Sequence, residues 1–145
     1  MKSKSFFNNC NLVADVKVAV YGTLRSDHRD FHSTSEKGEM GRIHNATLYF
    51  PGLYHFPAVV IDGKESSVRV EVMTIDKEKL ARWDRYEGID SGLYERKSCN
   101  VELDNGEEIF GVQIYVAGES LMRNFDQFEL VPEGDWMKRS QMRQE

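Results

Sequence analysis

The chain is poor in the residues that staple or punctuate small folds: its 145 positions include two cysteines and three prolines. Cys10 and Cys99 are too few and too far apart for a disulfide framework, and neither belongs to a Cys-x-x-Cys or Cys/His set with zinc spacing. Both read as free thiols. No apolar run approaches the length of a membrane span, and Met1 to Asn9 lacks the apolar core of a signal peptide, so the cytoplasm is the expected location. A basic excess is missing as well. With a net charge of −5 the chain has no basic stripe for phosphate contacts, and neither nucleic acid nor a membrane is an expected partner. The locally basic Met137 to Arg143 reads as part of a short, solvated, polar tail over residues 137–145.

What is present describes a single domain: 40% apolar and 30% charged residues is the balance of an ordinary soluble protein, at a length that can bury a core without staples. Residues 1–14 read as a lead-in segment, with Phe6 and Phe7 suggesting that part of it packs down, and residues 15–136 as the domain. No internal repeat is visible.

In residues 15–25, Val16, Val18 and Val20 alternate with Lys17, Ala19 and Tyr21, which predicts a strand with one face buried. The strand stops at Tyr21-Gly22-Thr23-Leu24. Gly22 allows a sharp turn or close approach to a ligand, and Thr23 adds a hydroxyl and an amide N–H, so the turn fits either simple chain reversal or an anion cradle. His28 and His32 follow at i, i+4, but no Glu follows His28 and no third ligand is evident, so no metal is expected.

From Gly38 to Ile75 the sequence predicts strands at Ile43 to Phe50 and Phe56 to Ile61, then an Asp62-Gly63 type I′ turn into alternating Val68, Val70 and Val72. Asp76 is the expected N-cap of a helix, with Ile75 and Leu80 as its hydrophobic staple. Leu80, Trp83 and Tyr86 mark the inner face, and Gly88 ends it. Two further strands, Tyr94 to Leu103 and Glu107 to Val116, meet at Asp104-Asn105-Gly106, another type I′ signal. In the second, Phe110, Val112, Ile114 and Val116 share one face, and Gln113 and Tyr115 the other. Beyond Gly118 a short helix is possible. About six short strands with one clear helix predict an α+β fold, a small and mostly antiparallel barrel or curled sheet.

Glu87 is out of place at the end of that helix, where the macrodipole disfavours a carboxylate by a few tenths to about 1 kcal/mol. Turned inward beside Trp83 and Tyr86, it would be desolvated, with a raised pKa suited to a general acid or base; turned outward, it is a surface Glu.

Four segments taken together, Tyr21-Gly22-Thr23-Leu24-Arg25, Asp84-Arg85-Tyr86-Glu87-Gly88, Leu93-Tyr94-Glu95-Arg96 and Gly134-Asp135-Trp136, resemble the gamma-glutamylcyclotransferase-like superfamily, in particular its avirulence-induced-gene-like and gamma-glutamylamine cyclotransferase branch. The resemblance runs from about Val16 to Trp136. It implies a compact mixed β-barrel with flanking helices and a pocket at its mouth. Tyr21, Gly22, Thr23 and Leu24 would bind the glutamyl head, Glu87 would be the acid/base carboxylate, and Tyr94 and Tyr115 would line or close the pocket. The implied reaction cyclises a γ-glutamyl amide to 5-oxoproline and releases an amine or amino acid. The substrate's own amine is the nucleophile, so no serine, cysteine, cofactor or metal is expected. The alternative is a non-catalytic barrel that binds a small ligand or a protein.

Overall fold

The computed structural model of the chain describes residues 15–22, 24–26, 37–52 and 56–143. Among them are eight strands: β1 (Val16–Val20), β2 (Glu39–His44), β3 (Thr47–Phe50), β4 (Ala58–Val60), β5 (Ser67–Ile75), β6 (Tyr94–Leu103), β7 (Glu108–Ala117) and β8 (Glu129–Leu130). Five close into a barrel in the order β1-β5-β2-β6-β7. Every barrel pairing is antiparallel except the closure, where β1 lies parallel to β7 with Val18 opposite Gln113 and Ala19 opposite Ile114. The remaining strands form a small sheet, β4-β3-β8. This is the α+β, mixed and mostly antiparallel barrel expected.

From Val18 to Val20 strand β1 is buried on both faces, where one was expected, while Lys17 stays exposed. Ala19 and Tyr21 join the cluster of Val70, Val72, Ile114 and Val116 that fills the barrel. Val18 and Val20 join a second cluster with Ile75, Tyr94, Tyr115 and Leu121, against which Leu80 and Trp83 of helix α1 (Lys77–Tyr86) pack. A closed barrel with a helix laid on its outside leaves that part of the strand no solvent side.

Helix α1 starts as its sequence requires. The Asp76 carboxylate accepts from the Lys79 N–H at 2.7 Å, and Ile75 and Leu80 meet in the second cluster. It ends at Glu87, and Gly88 takes the left-handed conformation at φ 70°. Tyr86 departs from the expected inner face. It is 74% exposed and stands at the rim of a cavity described below.

Two turns differ from their sequence signals. Asp62-Gly63 does not close a hairpin, because β4 pairs with β3 while β5 pairs with β1 and β2. The Asp62 carboxylate instead accepts from the Lys64 N–H and the Thr47 hydroxyl, holding a crossing between the two sheets. The expected Ile43-to-Phe50 strand is likewise split between the sheets at Asn45, whose φ is 62°. Asp104-Asn105-Gly106 does join β6 to β7, but only Gly106 has positive φ, 93°, and its N–H bonds to the Leu103 carbonyl. That is a type I turn followed by a left-handed glycine, with one positive-φ residue where type I′ needs two.

Phe110 also leaves its expected face. The β6–β7 register shifts between Cys99/Val112 and Val101/Ile109, so β7 carries one extra residue there, and Gly111 at φ 72° absorbs it. Ile109 packs against the core, and Phe110 is 68% exposed.

Beyond β7 come the short helix α2 (Glu119–Met122) and, at the end, a 3-10 segment, Trp136–Arg143. Trp136 is buried, and Met137 and Met142 pack against the barrel cluster. Met137 and Met142, expected in a solvated tail, therefore pack on the core, while Ser140 is exposed. No helix among the described residues is long and apolar enough to cross a membrane. Cys99 is a free thiol that burial pushes up to about 11, so it is a poor nucleophile, and Cys10, His28 and His32 lie outside the described residues.

Candidate active site

A cavity of about 210 Å³ opens where the two apolar clusters meet at one end of β1. Gly22 and Leu24 from the turn after β1, Glu87 from the end of α1, and Tyr21, Tyr94 and Tyr115 from three barrel segments all line it. Of the seven residues expected to form a site, these six share one wall system; Thr23 lies outside the described residues. Phe56, Pro57, Tyr86 and Leu93 complete much of the lining; Tyr86 and Leu93 fall in segments that the sequence singled out, while nothing set Phe56 and Pro57 apart.

The three tyrosines are held by hydrogen bonds to the protein. Tyr21 donates to the Tyr115 carbonyl at 2.6 Å, Tyr94 donates to the Pro57 carbonyl, and Tyr115 donates to Asp84 Oδ1 at 2.6 Å. Each ring is thereby fixed in orientation, and its apolar face is free to form a wall. Burial first, then the neighbouring Tyr94 and Glu87, hold the Tyr21 phenol well above its ordinary range. Tyr115 is raised by burial and by its bond to Asp84. Neither is a proton donor or acceptor suited to neutral pH.

Glu87 differs from them. No hydrogen bond or ion pair reaches its carboxylate among the described residues, and burial pushes its pKa from 4.5 up to about 7. It is a partly buried carboxylate aimed at an apolar cavity and poised to exchange a proton near neutrality.

The turn opposite is closely fitted. A Cβ built on Gly22 would lie 2.9 Å from Pro57 Cγ and 3.1 Å from Cδ, and the proline ring has little freedom to retreat. Because the Pro57 carbonyl also anchors Tyr94, a side chain at Gly22 would displace both walls. We expect Gly22→Val to abolish ligand binding in calorimetry while the barrel remains folded by circular dichroism. Normal binding by that variant would remove the turn from the site.

Two ion pairs frame the cavity and join the four segments singled out by sequence in twos. Arg25 Nη1 meets Asp135 Oδ1 at 2.8 Å, tying the first segment to the last. Arg96 Nε meets Asp84 Oδ1 at 3.0 Å, tying the helix end to β6, and Asp84 also receives the Tyr115 hydroxyl. Among the described residues, no cluster of His, Cys, Asp and Glu could hold a metal ion.

The fold of this small closed barrel is shared with several solved structures. An uncharacterised protein from Pyrococcus horikoshii is 23% identical, with a TM-score of 0.58 over 88% of this chain and 94% of that one. A structure described as a gamma-glutamyl cyclotransferase is 20% identical, with a TM-score of 0.59 over 72% and 67%. An AIG2-like protein from Mus musculus is 22% identical, with a TM-score of 0.57 over 72% and 78%. No curated protein matches the chain. Residues 18–138 match the family described as gamma-glutamyl cyclotransferase, AIG2-like. The chain belongs to that family.

Proposed function

We propose that the protein is a cyclotransferase that converts a γ-glutamyl amide to 5-oxoproline and releases an amine or amino acid. The observation that carries this reading is the placement of Glu87, a desolvated carboxylate sharing a cavity with the Gly22–Leu24 turn. Backbone N–H groups of the turn hold the glutamyl head so that its α-amine faces its own γ-carbonyl. Such orientation is the largest gain available to a reaction whose nucleophile is part of the substrate.

The α-amine attacks the γ-carbonyl carbon, forming the ring C–N bond. Glu87 takes the proton that the amine sheds and then delivers one to the departing nitrogen as the original amide C–N bond breaks. Proton transfer of this kind contributes about 10²- to 10⁴-fold, and a carboxyl near pKa 7 can act in both directions. The apolar faces of Tyr21, Tyr94 and Tyr115 keep water from the reacting centre.

The test is to incubate the protein with a panel of γ-glutamyl amides and γ-glutamyl amino acids and to assay 5-oxoproline. Product from at least one is expected, and none from any would favour a ligand-binding barrel. The pH profile adds a second check. Since Glu87 must begin ionised and titrates at about 7, the rate should rise through neutrality and at pH 5 fall to roughly a hundredth of its plateau. A profile flat from pH 5 to 8 would contradict the assignment.

A further inference from the structure

Strand β5 points Val68, Val70 and Val72 into the barrel and Arg69, Glu71 and Met73 outward. Arg69 and Met73 are partly exposed, as outward residues should be, but Glu71 is only 1% exposed. Its carboxylate accepts three hydrogen bonds: Oε1 takes the Ser26 N–H at 2.6 Å, and Oε2 takes the Ser26 hydroxyl at 2.7 Å and the Gly38 N–H at 2.6 Å. A buried carboxylate is costly unless its oxygens are satisfied, and these donors come from two places 12 residues apart in the chain, both lying over β5.

Both donors depend on local sequence. A Cβ on Gly38 would lie 2.2 Å from the Val72 carbonyl oxygen, so only glycine brings that N–H down onto the strand. Ser26 directly follows Arg25, the residue tied to Asp135, and the Arg25 N–H closes the turn by bonding to the Gly22 carbonyl at 3.0 Å. A second clamp uses the same strand. A Cβ on Gly134 would fall 2.0 Å from the Ser67 carbonyl oxygen, so Asp135 too is placed by close approach to β5. The cavity turn therefore takes its position from one strand through two buried contacts, and Glu71 lines no part of the cavity itself.

We propose that Glu71 is a positioning residue for the cavity, holding the Gly22–Leu24 turn at the distance from Glu87 that binding requires by fixing Ser26 and Gly38 onto β5. This rests on the cyclotransferase reading for its effect on turnover, but not for its effect on the turn.

The experiment compares wild type with Glu71→Gln in the full chain, by amide hydrogen exchange of the peptide spanning residues 20–26 and by steady-state kinetics of 5-oxoproline formation. Gln keeps the shape but puts an NH₂ where an oxygen accepted, so at least one donor is left facing a donor. Exchange in residues 22–26 should rise about tenfold with the barrel strands unchanged, and KM should rise about tenfold with kcat and the pH midpoint near those of wild type. Should Glu71→Gln not fold, Ser26→Ala removes only the hydroxyl bond and should shift the same readouts by about threefold, with Ser26→Thr restoring them. Unchanged exchange at residues 22–26, or a lower kcat at unchanged KM, would overturn the proposal. If wild type makes no 5-oxoproline, the cyclotransferase reading fails while the exchange result still decides whether Glu71 holds the turn.

Discussion

Glu87→Gln is expected to lower the rate of 5-oxoproline formation by about 10²- to 10⁴-fold while making the protein more stable at alkaline pH. The two effects share one cause. In the folded protein the Glu87 carboxyl titrates at about 7 because burial disfavours its charge, whereas an unfolded chain would release the proton near 4.5. Between those values the folded state holds a proton that the unfolded state has lost. Stability therefore falls as pH rises from about 4.5 to about 7 and stays reduced above that, by up to ~3 kcal/mol. Gln cannot ionise and escapes this loss. Thermal melts should show the variant matching wild type near pH 4.5 and exceeding it at pH 8, and turnover at pH 8 should show the reverse order. Equal turnover by the two proteins would reject Glu87 as the acid/base. Equal melting at both pH values would reject the desolvation that makes it one.

Asp135→Ala should be the most damaging substitution for the fold. Arg25 is 2% exposed, and removing the Asp135 carboxylate takes a 2.8 Å ion pair away from its buried guanidinium. Breaking a buried pair from one side costs about 3–5 kcal/mol, a fall in Tm of order 10 °C or more for a domain of this size. Asp135 also accepts the Met137 N–H at 3.0 Å, so the Trp136–Arg143 segment would loosen with it. Although burial opposes its ionisation, the bonds from Arg25 and Met137 outweigh that and hold its pKa below 3.8. Its contribution is thus present above pH 3.8 and lost only as pH falls through the lower folded value. Wild type and variant should then differ fully at pH 7 and converge in acid. A melting temperature within a few degrees of wild type at pH 7 would show that the pair contributes little.

The barrel could be read from sequence because it rests on local signals, whereas the six expected site positions that line the cavity were, apart from Glu87, named only by the family resemblance. Alternating valines, an Asp N-cap and a glycine after a helix each act through neighbours in the chain, and Glu87 drew notice through its conflict with the helix end. The sheet crossing at Asp62-Gly63 was not legible, since the same dipeptide serves a hairpin or an Asx-type bend and the choice belongs to strands elsewhere. Phe110 followed the alternation of β7 until Gly111 added a residue to one strand, a feature no period-2 count detects. Glu71 was hidden for a plainer reason. An acidic residue on the outward side of a strand looks solvated until the chain lies across it. Arg25 and Asp135 both fall in segments that carry the family resemblance, but their contact spans 110 residues and no spacing rule reaches that far.

The parallel closure of β1 on β7 also bears on when the cavity is completed during synthesis. The bonds that complete the cavity, from Tyr21 to Tyr115 and from Arg25 to Asp135, join positions 94 and 110 residues apart. Closing such loops loses entropy that is offset only once the far partner has arrived, and pairings of this kind form late and slowly. The turn after β1, translated before its partners, is therefore fixed only once they follow. A nascent chain short of residue 135 can already form the β6–β7 hairpin, yet it lacks the Asp135 contact to Arg25, so a cavity whose described lining ends at Tyr115 still depends on a residue further on.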